Sequence, residues 1–562
     1  MSPFDGGSFD GDDTAPLPSS RRIFSLNVSF RVCACVKVRL IHGEVTCLEN
    51  ERQALLRFKE GIKDPWDVLS TWRDDDCCKW QGITCSNQTA HYLDLSYNGL
   101  DGFIPYQLKH LRQLQYLSLR GYLELSGAIP FQSGDLPLLH TLKLGGDFDL
   151  ESKELRLSDC SLSDNDVQLL FHIHSNYSST TPLTILDLSD NMLTSSTFQL
   201  LSNLSFHLRE LYLSSNDIVL SQSHYPNFPS LVSLDLSYNN LTSLVFQGNF
   251  NFSSNLEMLD LSNCSLTDTS FLVSSTSIVN SSSSLVSLDL YYNLLTSSNI
   301  FHWIFNFTAN LHTLDLGFNL LEGPVPLGFD KAVKSLEYLD LSHNNLHGEI
   351  PHFFGNICTL QSLYLSYNNL SGDFSRFIQN SSWCNRHIFQ ELYLSYNQIT
   401  GVIPKSIRVL SELEYLSLKG NSLKGEITES HLTNFSKLKK LVLSYNSISL
   451  KFVPGWIPPF QLIYLSLASC KLGPNFPSWL QNQNHLSFLD ISDAGIHGPV
   501  PEWFWHKFQV VGYYLNMSHN NFIGTMSNLP PRLSDTRAYL DLSSNQFEGA
   551  IPSFLRQIVG DL

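Results

Sequence analysis

The sequence predicts an α/β solenoid. The chain should wind into stacked coils forming a curved right-handed superhelix, with a parallel β-sheet on the concave face and a helical, cysteine-rich cap at the N-terminal end. Three observations predict it. The stretch "LDLSHNNLHGEIP" (339–351) recurs as "LDLGFNLLEGPVP" (314–326) and "LYLSYNQITGVIP" (392–404). Asn falls at one place in each unit, at 191, 216, 239, 293, 319, 344, 368, 397, 421, 446, 520 and 545. From 191 onward the units are 23 to 29 residues long, counting Cys264, Cys470 and Ala494 at that same place. Finally, an amphipathic helical pattern and a cysteine cluster precede the first unit.

That period, carrying LxxLxLxxNxL, is the leucine-rich repeat signature. Leu339 and Leu341 alternate inward on a short strand, and Leu346 turns into the same core after a corner. Asn344 should face inward at that corner, its amide bonding backbone groups that would otherwise be buried unpaired. Cys160, Cys264 and Cys470 hold the ladder position and read as small buried thiols rather than redox or metal groups. One coil cannot bury both of its faces, so the units must stack. About 18 or 19 coils fit between residue 90 and residue 562.

The array is irregular at 117–160. There "LKLGGDFDLESKELRLSDC" places Leu142 and Leu155 only 13 residues apart, about half a coil. Many units end in LxGxIP, as at Leu100–Pro105, Leu346–Pro351 and Ile399–Pro404. Glycine permits a sharp turn there and proline fixes an extended return strand.

Three segments follow: 1–46, disordered or wrongly started; 47–89, a cap; and 90–562, the array. A signal peptide needs an unbroken apolar run, and "RVCACVKVRLIHGEV" is interrupted by Lys37 and Arg39. No stretch of 18 apolar residues occurs, so nothing spans a membrane as written. In the cap, "CLENERQALLRFKEGI" sets Ala54, Leu55, Phe58 and Ile62 on one helical face. Cys77, Cys78 and Cys85 follow, with Trp80 between them. A zinc site there is disfavoured, because adjacent cysteines make poor tetrahedral spacing and no suitable histidine follows closely.

Composition narrows the function. Net charge is −17, and no Lys/Arg run offers a local exception, which argues against nucleic acid as a partner. Charged residues make up only 15% of the chain, so Ser and Asn must supply most of the polar surface. Thirteen Asn-x-Ser/Thr sequons would let glycans solvate it on a secretory route. Six of them, Asn87, Asn203, Asn251, Asn306, Asn380 and Asn434, are taken as glycosylation sites. Kinase and hydrolase motifs are missing, no cofactor is implied, and "HIH" at 172–174 lacks a third metal ligand nearby. Asp187, Asp235, Asp260, Asp289, Asp315, Asp340, Asp490 and Asp541 look like paired carboxylates but are one repeated column of strand surface.

Binding has the better case. The residue before each ladder Asn should project from the concave face, and in the central coils it is Tyr292, Phe318, His343, Tyr367, Tyr396 and Tyr445. Coil spacing of about 5 Å makes these an amphipathic stripe of the residue kinds enriched in binding hot spots. The other reading is that Ser-Tyr-Asn is repeat filler, each Tyr packing on the next. Asn263 and Asn516 lie on strand-face positions where a sugar would obstruct a ligand, and between them the other sequons fall outside the strand columns.

The LxGxIP unit, together with the Cys47–Cys85 segment, resembles plant extracellular leucine-rich repeats. Residues 47–562 are similar to the ectodomains of plant leucine-rich repeat receptor-like proteins, in the class that includes the fungal xylanase sensors. The resemblance implies disulfides Cys47–Cys77 and Cys78–Cys85. Cys358 and Cys384, one coil apart in "QNSSWCNRHIFQELYLSYNQITG", are suggested as a third pair. It also implies a non-enzymatic extracellular protein that recognises a microbial or peptide signal, the ligand being a protein, peptide or glycan. Such a protein would signal in defence, or in development, through a co-receptor kinase.

In that family further repeats, a C-terminal cap and one transmembrane helix follow. As written, the chain is expected to be secreted, and at the plasma membrane if a longer form carries the anchor. Two alternatives stand beside this reading: a secreted inhibitor resembling the polygalacturonase-inhibiting proteins, or a truncated receptor fragment without function.

Overall fold

The structure, a computed structural model, describes residues 47–118 (apart from 74, 87, 88, 97, 99 and 103–105), 141–143, 154–168 (apart from 160, 161 and 166), 183–201, 206–219, 228–241, 255–271, 284–296, 299–305, 310–379, 383–511, 514–526 and 539–550. Cys160 and the His172–His174 motif lie outside them. The described residues fall into two compact units that divide between Asp289 and Leu290.

The N-terminal unit begins with the cap. Helix Glu49–Gly61 buries Ala54, Leu55 and Phe58. Ile62 is buried too, but as the first residue of a two-residue strand beyond the helix rather than on its face. Trp72 stacks on Trp80 at 5.3 Å and lies 6.1 Å from Phe58, making an aromatic plug. Glu51 is buried because its Oε2 accepts the Ala90 N–H at 2.7 Å, pairing a backbone group at the entry to the first coil. Disulfides join Cys47 to Cys77 and Cys78 to Cys85. The cap cysteines are therefore structural, and the 4.8 Å grouping of the Cys47, Cys77 and Cys78 sulfurs follows from adjacent bridges.

Beyond the cap, Ile83–Ser86 pairs antiparallel with Thr89–Asp94, and the cap strand Ile62–Lys63 pairs antiparallel with Asp101–Gly102; the other strand pairings among the described residues run parallel. Thr141–Lys143 closes this first sheet, and Glu154–Arg156 starts a second one, which contributes six strands to this unit, the last of them Ser287–Asp289. Among the described residues these two strands do not pair with each other. The half-coil spacing of Leu142 and Leu155 thus coincides with a break between sheets.

The C-terminal unit holds ten parallel strands, from Thr313–Asp315 to Tyr539–Asp541, with each leucine opposite the next coil's leucine. Leu339, Leu341 and Leu346 are all buried, which gives the core its leucine triads. The LxGxI segments form a second set of short parallel strands, such as Asn345–Glu349 against Asn369–Ser371. Gly348 sits there at φ +97°, a left-handed value that side chains disfavour. The proline acts one step later than the sequence suggests. Pro351 and Pro404 are the N-cap residues of 3-10 helices at His352–Asn356 and Lys405–Val409.

The corner asparagines hold the coils together. Asn397 Nδ2 donates to Leu365 O of the preceding coil at 2.9 Å and to Leu394 O and Ser395 O of its own, while its Oδ1 accepts the Leu370 N–H at 2.9 Å. Asn216, Asn239, Asn319, Asn344, Asn446 and Asn520 repeat this pattern. Cys264 and Cys470 keep the donor half, their thiols pointing at Leu236 O (3.1 Å) and Leu443 O (3.2 Å). The accepting half passes to the main chain: Cys264 O takes the Leu241 N–H and Ala494 O takes the Leu472 N–H. Burial pushes both thiols up to about 12, so they stay protonated and inert.

Cys358 and Cys384 are also bonded, and they fasten a longer coil. Trp383 packs there against Phe377 at 5.0 Å and covers Gly355, where an added Cβ would sit 2.0 Å from the ring.

Two stability predictions follow from these contacts. Asn397→Ala should raise the exchange rate of the Leu370 amide about 100-fold in hydrogen-exchange measurements, by leaving a buried corner unpaired at about 3 kcal/mol. Asn397→Cys should raise it less, because it keeps one donor. Gly355→Ala should lower the thermal midpoint through overpacking of about 1–3 kcal/mol, whereas Gly323→Ala, with nothing within 4 Å, should change it only through backbone strain.

Candidate functional site

The aromatic column lies wholly within the C-terminal unit. Each member follows a strand by three positions, and its N–H carries the parallel ladder one rung further: Phe318 to Ser342 O, His343 to Ser366 O, Tyr367 to Ser395 O, Tyr396 to Lys419 O and Tyr445 to Ala468 O, all within 2.7–2.9 Å. To turn the corner at that point every member adopts a left-handed backbone, with φ between 51° and 56°. Non-glycine residues pay about 1 kcal/mol or more for this conformation, so the inter-coil bond and the side-chain stack must hold it.

The structure brings four members into one continuous stack. Phe318 and His343 lie 3.8 Å apart, His343 and Tyr367 4.2 Å, Tyr367 and Tyr396 4.4 Å, with interplanar angles of 17° to 25°. Tyr292 joins at an angle, 6.1 Å from Phe318, and remains 54% exposed. Tyr445 stands apart, because the coil between carries Gly420. Gly420 has the left-handed φ of the column, +65°, and with no side chain there the Tyr396 ring leans to within 2.7 Å of where a Cβ would be. Beside that gap the buried Lys419 places its ammonium 5.4 Å from the Tyr396 ring and 5.7 Å from that of Tyr445. A cation between two π-faces joins what the missing side chain separates.

The filler reading and the surface reading therefore describe the same residues. Ring faces are spent on neighbouring rings, and Phe318, His343, Tyr367 and Tyr396 remain half-buried. His343 is neutral, burial pulling its imidazole down to about 4, and the column carries no charge of its own at neutral pH.

The sequence reading missed a second aromatic track on the strands themselves. Tyr364 stacks on Tyr393 at 4.7 Å, and Lys440 bridges Tyr393 and Tyr464 at 5.4 and 4.7 Å. Tyr464, Phe488, Tyr514 and Tyr539 continue at 3.8 to 4.6 Å. Its signal is an aromatic residue just before, or between, the two strand leucines.

The aspartate column has a structural task. Asp340 Oδ1 accepts the Ser342 N–H at 2.7 Å, and Asp235, Asp260, Asp315, Asp490 and Asp541 accept the equivalent N–H two residues on. Asn516 does the same for Ser518 at 3.0 Å, so a neutral acceptor suffices at this position. Burial pushes Asp340 and Asp260 up to about 6, and Asp235 beside Asp260 adds repulsion.

Of the six chosen glycosylation sites only Asn434 lies among the described residues, exposed on a turn. Asn263 precedes the corner residue Cys264 and so takes the place that the aromatic column holds in other coils, with φ 49°. No helix among the described residues is long and apolar enough to cross a membrane.

Residues 48–86 match the family described as Leucine rich repeat N-terminal domain, residues 304–370 match Leucine rich repeat, and residues 90–111, 255–276, 389–410 and 538–558 match Leucine Rich Repeat. The chain is 35% identical to Receptor-like protein EIX1 and 32% identical to Receptor-like protein EIX2, both of Solanum lycopersicum. Each alignment covers 91% of the chain and 56% of the relative, so the chain spans little more than half the length of these proteins. Among solved structures, that of the Arabidopsis receptor kinase HAESA in complex with the peptide hormone IDA and the co-receptor SERK1 is 23% identical, with a TM-score of 0.48, covering 91% of this chain and 88% of that one.

The buried carboxylates make a pH prediction. An aspartate free in the unfolded chain titrates near 3.9. With Asp260 raised to about 6 when folded, its destabilising effect is fully present above pH 6 and fades as pH falls from 6 to 4. The thermal midpoint should therefore gain more between pH 7 and pH 5 in the native chain than in Asp260→Asn, which keeps the Ser262 acceptor and cannot titrate.

Proposed function

The chain belongs to the leucine-rich repeat proteins of the plant receptor-like kind, and on that premise we propose that it is an extracellular recognition protein. It binds a microbial protein or a peptide in plant defence and passes the signal through a partner kinase. The observation that carries this reading is the stack Phe318, His343, Tyr367 and Tyr396, with Tyr292 and Tyr445 at its ends. Rings already held by their neighbours lose little conformational freedom when a partner lands on them, so what they leave exposed is preorganised for contact. An uncharged aromatic ridge on a chain of net charge −17 also gives a ligand a place to dock without meeting the average negative field.

The sequence relatives, Receptor-like proteins EIX1 and EIX2, support the receptor-like assignment. Occupied sequons such as Asn434 would accompany passage through the secretory route to the cell surface. There the ligand would lie across coils 292–445, between the strand-face sequons Asn263 and Asn516.

The test is direct. The glycosylated chain, immobilised after secretion from plant cells, is titrated with a purified fungal xylanase. Tyr367→Ala with Tyr396→Ala should weaken binding at least ~tenfold, the scale of a lost hot spot, while the matching Phe pair should cost under about threefold because the stack survives. Equal affinity of the alanine pair and the native chain removes the column as the contact surface, and a chain that binds no xylanase removes that class of ligand.

A further inference from the structure

Away from the aromatic column, on the side of the C-terminal unit built from the LxGxI strands, lies an open cavity of about 400 Å³. That is within the size range of small-molecule sites. Glu349 from one coil and Asp373, Arg376 and Gln379 from the next surround it, over a floor of Ile350 and Phe377. We propose that this cavity binds neutral sugar rings, as a carbohydrate site separate from the ridge assigned to protein or peptide.

Three polar side chains at its rim are not used by the fold, while Ser371, which donates to Gly348 O at 3.1 Å, and His352 also line the cavity. Among the described residues the side chains of Glu349, Arg376 and Gln379 make no hydrogen bond or ion pair, and all three are exposed. Asp373 is partly committed: its Oδ1 caps the helix Phe374–Ile378 through the Ser375 N–H at 2.7 Å. That bond, the Ser375 hydroxyl and the Arg376 guanidinium hold its carboxyl below the usual range, so it is ionised. The rim thus offers two carboxylates as acceptors, and a guanidinium and an amide as donors.

The mixture selects the ligand class. A cation would meet Arg376 and an anion would meet Glu349 and Asp373, whereas a hydroxyl both donates and accepts and brings no net charge. A polyol can therefore satisfy donors and acceptors together. Ile350 and Phe377 are nearly buried and give the lining a small apolar part, which suits the C–H face of a sugar ring. The wall stays open because Gly372 stands where a side chain would press on Glu349, its Cβ only 3.3 Å from the Glu349 side chain. Just behind, the Cys358–Cys384 bridge and Trp383, which packs on Phe377 at 5.0 Å, fix the coil that carries Arg376.

Calorimetric titration of the full 562-residue chain tests this, with xylohexaose, cellohexaose, laminarihexaose and chitohexaose as probes. At least one should saturate the native chain with a Kd between about 0.1 and 1 mM, as expected for a shallow site. Arg376→Ala and Glu349→Ala should each weaken it at least ~tenfold with an unchanged thermal midpoint. The Tyr367→Ala, Tyr396→Ala pair should bind sugar as the native chain does, whatever it does to xylanase. The proposal is overturned if none of the four reaches half saturation by about 10 mM, if both rim substitutions leave binding intact, or if only free amino acids or oligogalacturonate saturate the site.

Discussion

Everything in this molecule depends on pairing backbone polar groups at the inner corner of each coil. A coil of about 25 residues must turn there, with its main chain buried between its neighbours. Unpaired carbonyls in that position would cost about 1–3 kcal/mol each. One asparagine per coil answers three carbonyls and one N–H, and two of those four bonds cross to the preceding coil. The bonds that close a corner are thus the ones that stack the array. Where Cys264, Cys470 or Ala494 replaces asparagine, the preceding coil is still reached by a thiol or by the main-chain carbonyl.

The same constraint produces the candidate site. Turning the corner forces the residue before each asparagine into a left-handed backbone and sets its side chain on the sheet face. Coils about 4.8 Å apart bring successive aromatic rings to within a stacking distance, so the ridge is built by the scaffold's period rather than by any local motif. Its one interruption arises because Gly420 has no ring to contribute, and Tyr396 leans across the place a side chain would fill. Lys419 then supplies the contact between Tyr396 and Tyr445.

Much of this was legible in the sequence because the signals are periodic. The leucine triads, the asparagine corner, the structural thiols at 264 and 470 and the cap disulfides follow from residue type at fixed spacing, or from family resemblance built on it. The aromatic column was legible as a column. Its state was not: whether Phe318, His343, Tyr367 and Tyr396 stack or splay depends on side-chain rotation within a spacing that permits both. The second track through Tyr364, Tyr393 and Tyr464 escaped notice because its members shift between the two outward strand positions, so no single alignment column holds them. The proline of LxGxIP read as a strand former but acts as the start of a 3-10 helix, since a fixed φ near −65° suits either role.

By itself the sequence determined the repeat, its core and its corners, because each coil meets only its neighbours and a local pattern repeated many times leaves a single way to stack. It also determined which residues face outward on the strands. Tertiary structure alone decided what those outward residues do together. The ring faces are consumed by stacking, Asp340 and Asp260 are buried enough to titrate near 6, and Glu349, Arg376 and Gln379 meet around one cavity. Each of these depends on distances between side chains of different coils, and a periodic sequence fixes the coil spacing without fixing how side chains rotate to fill it.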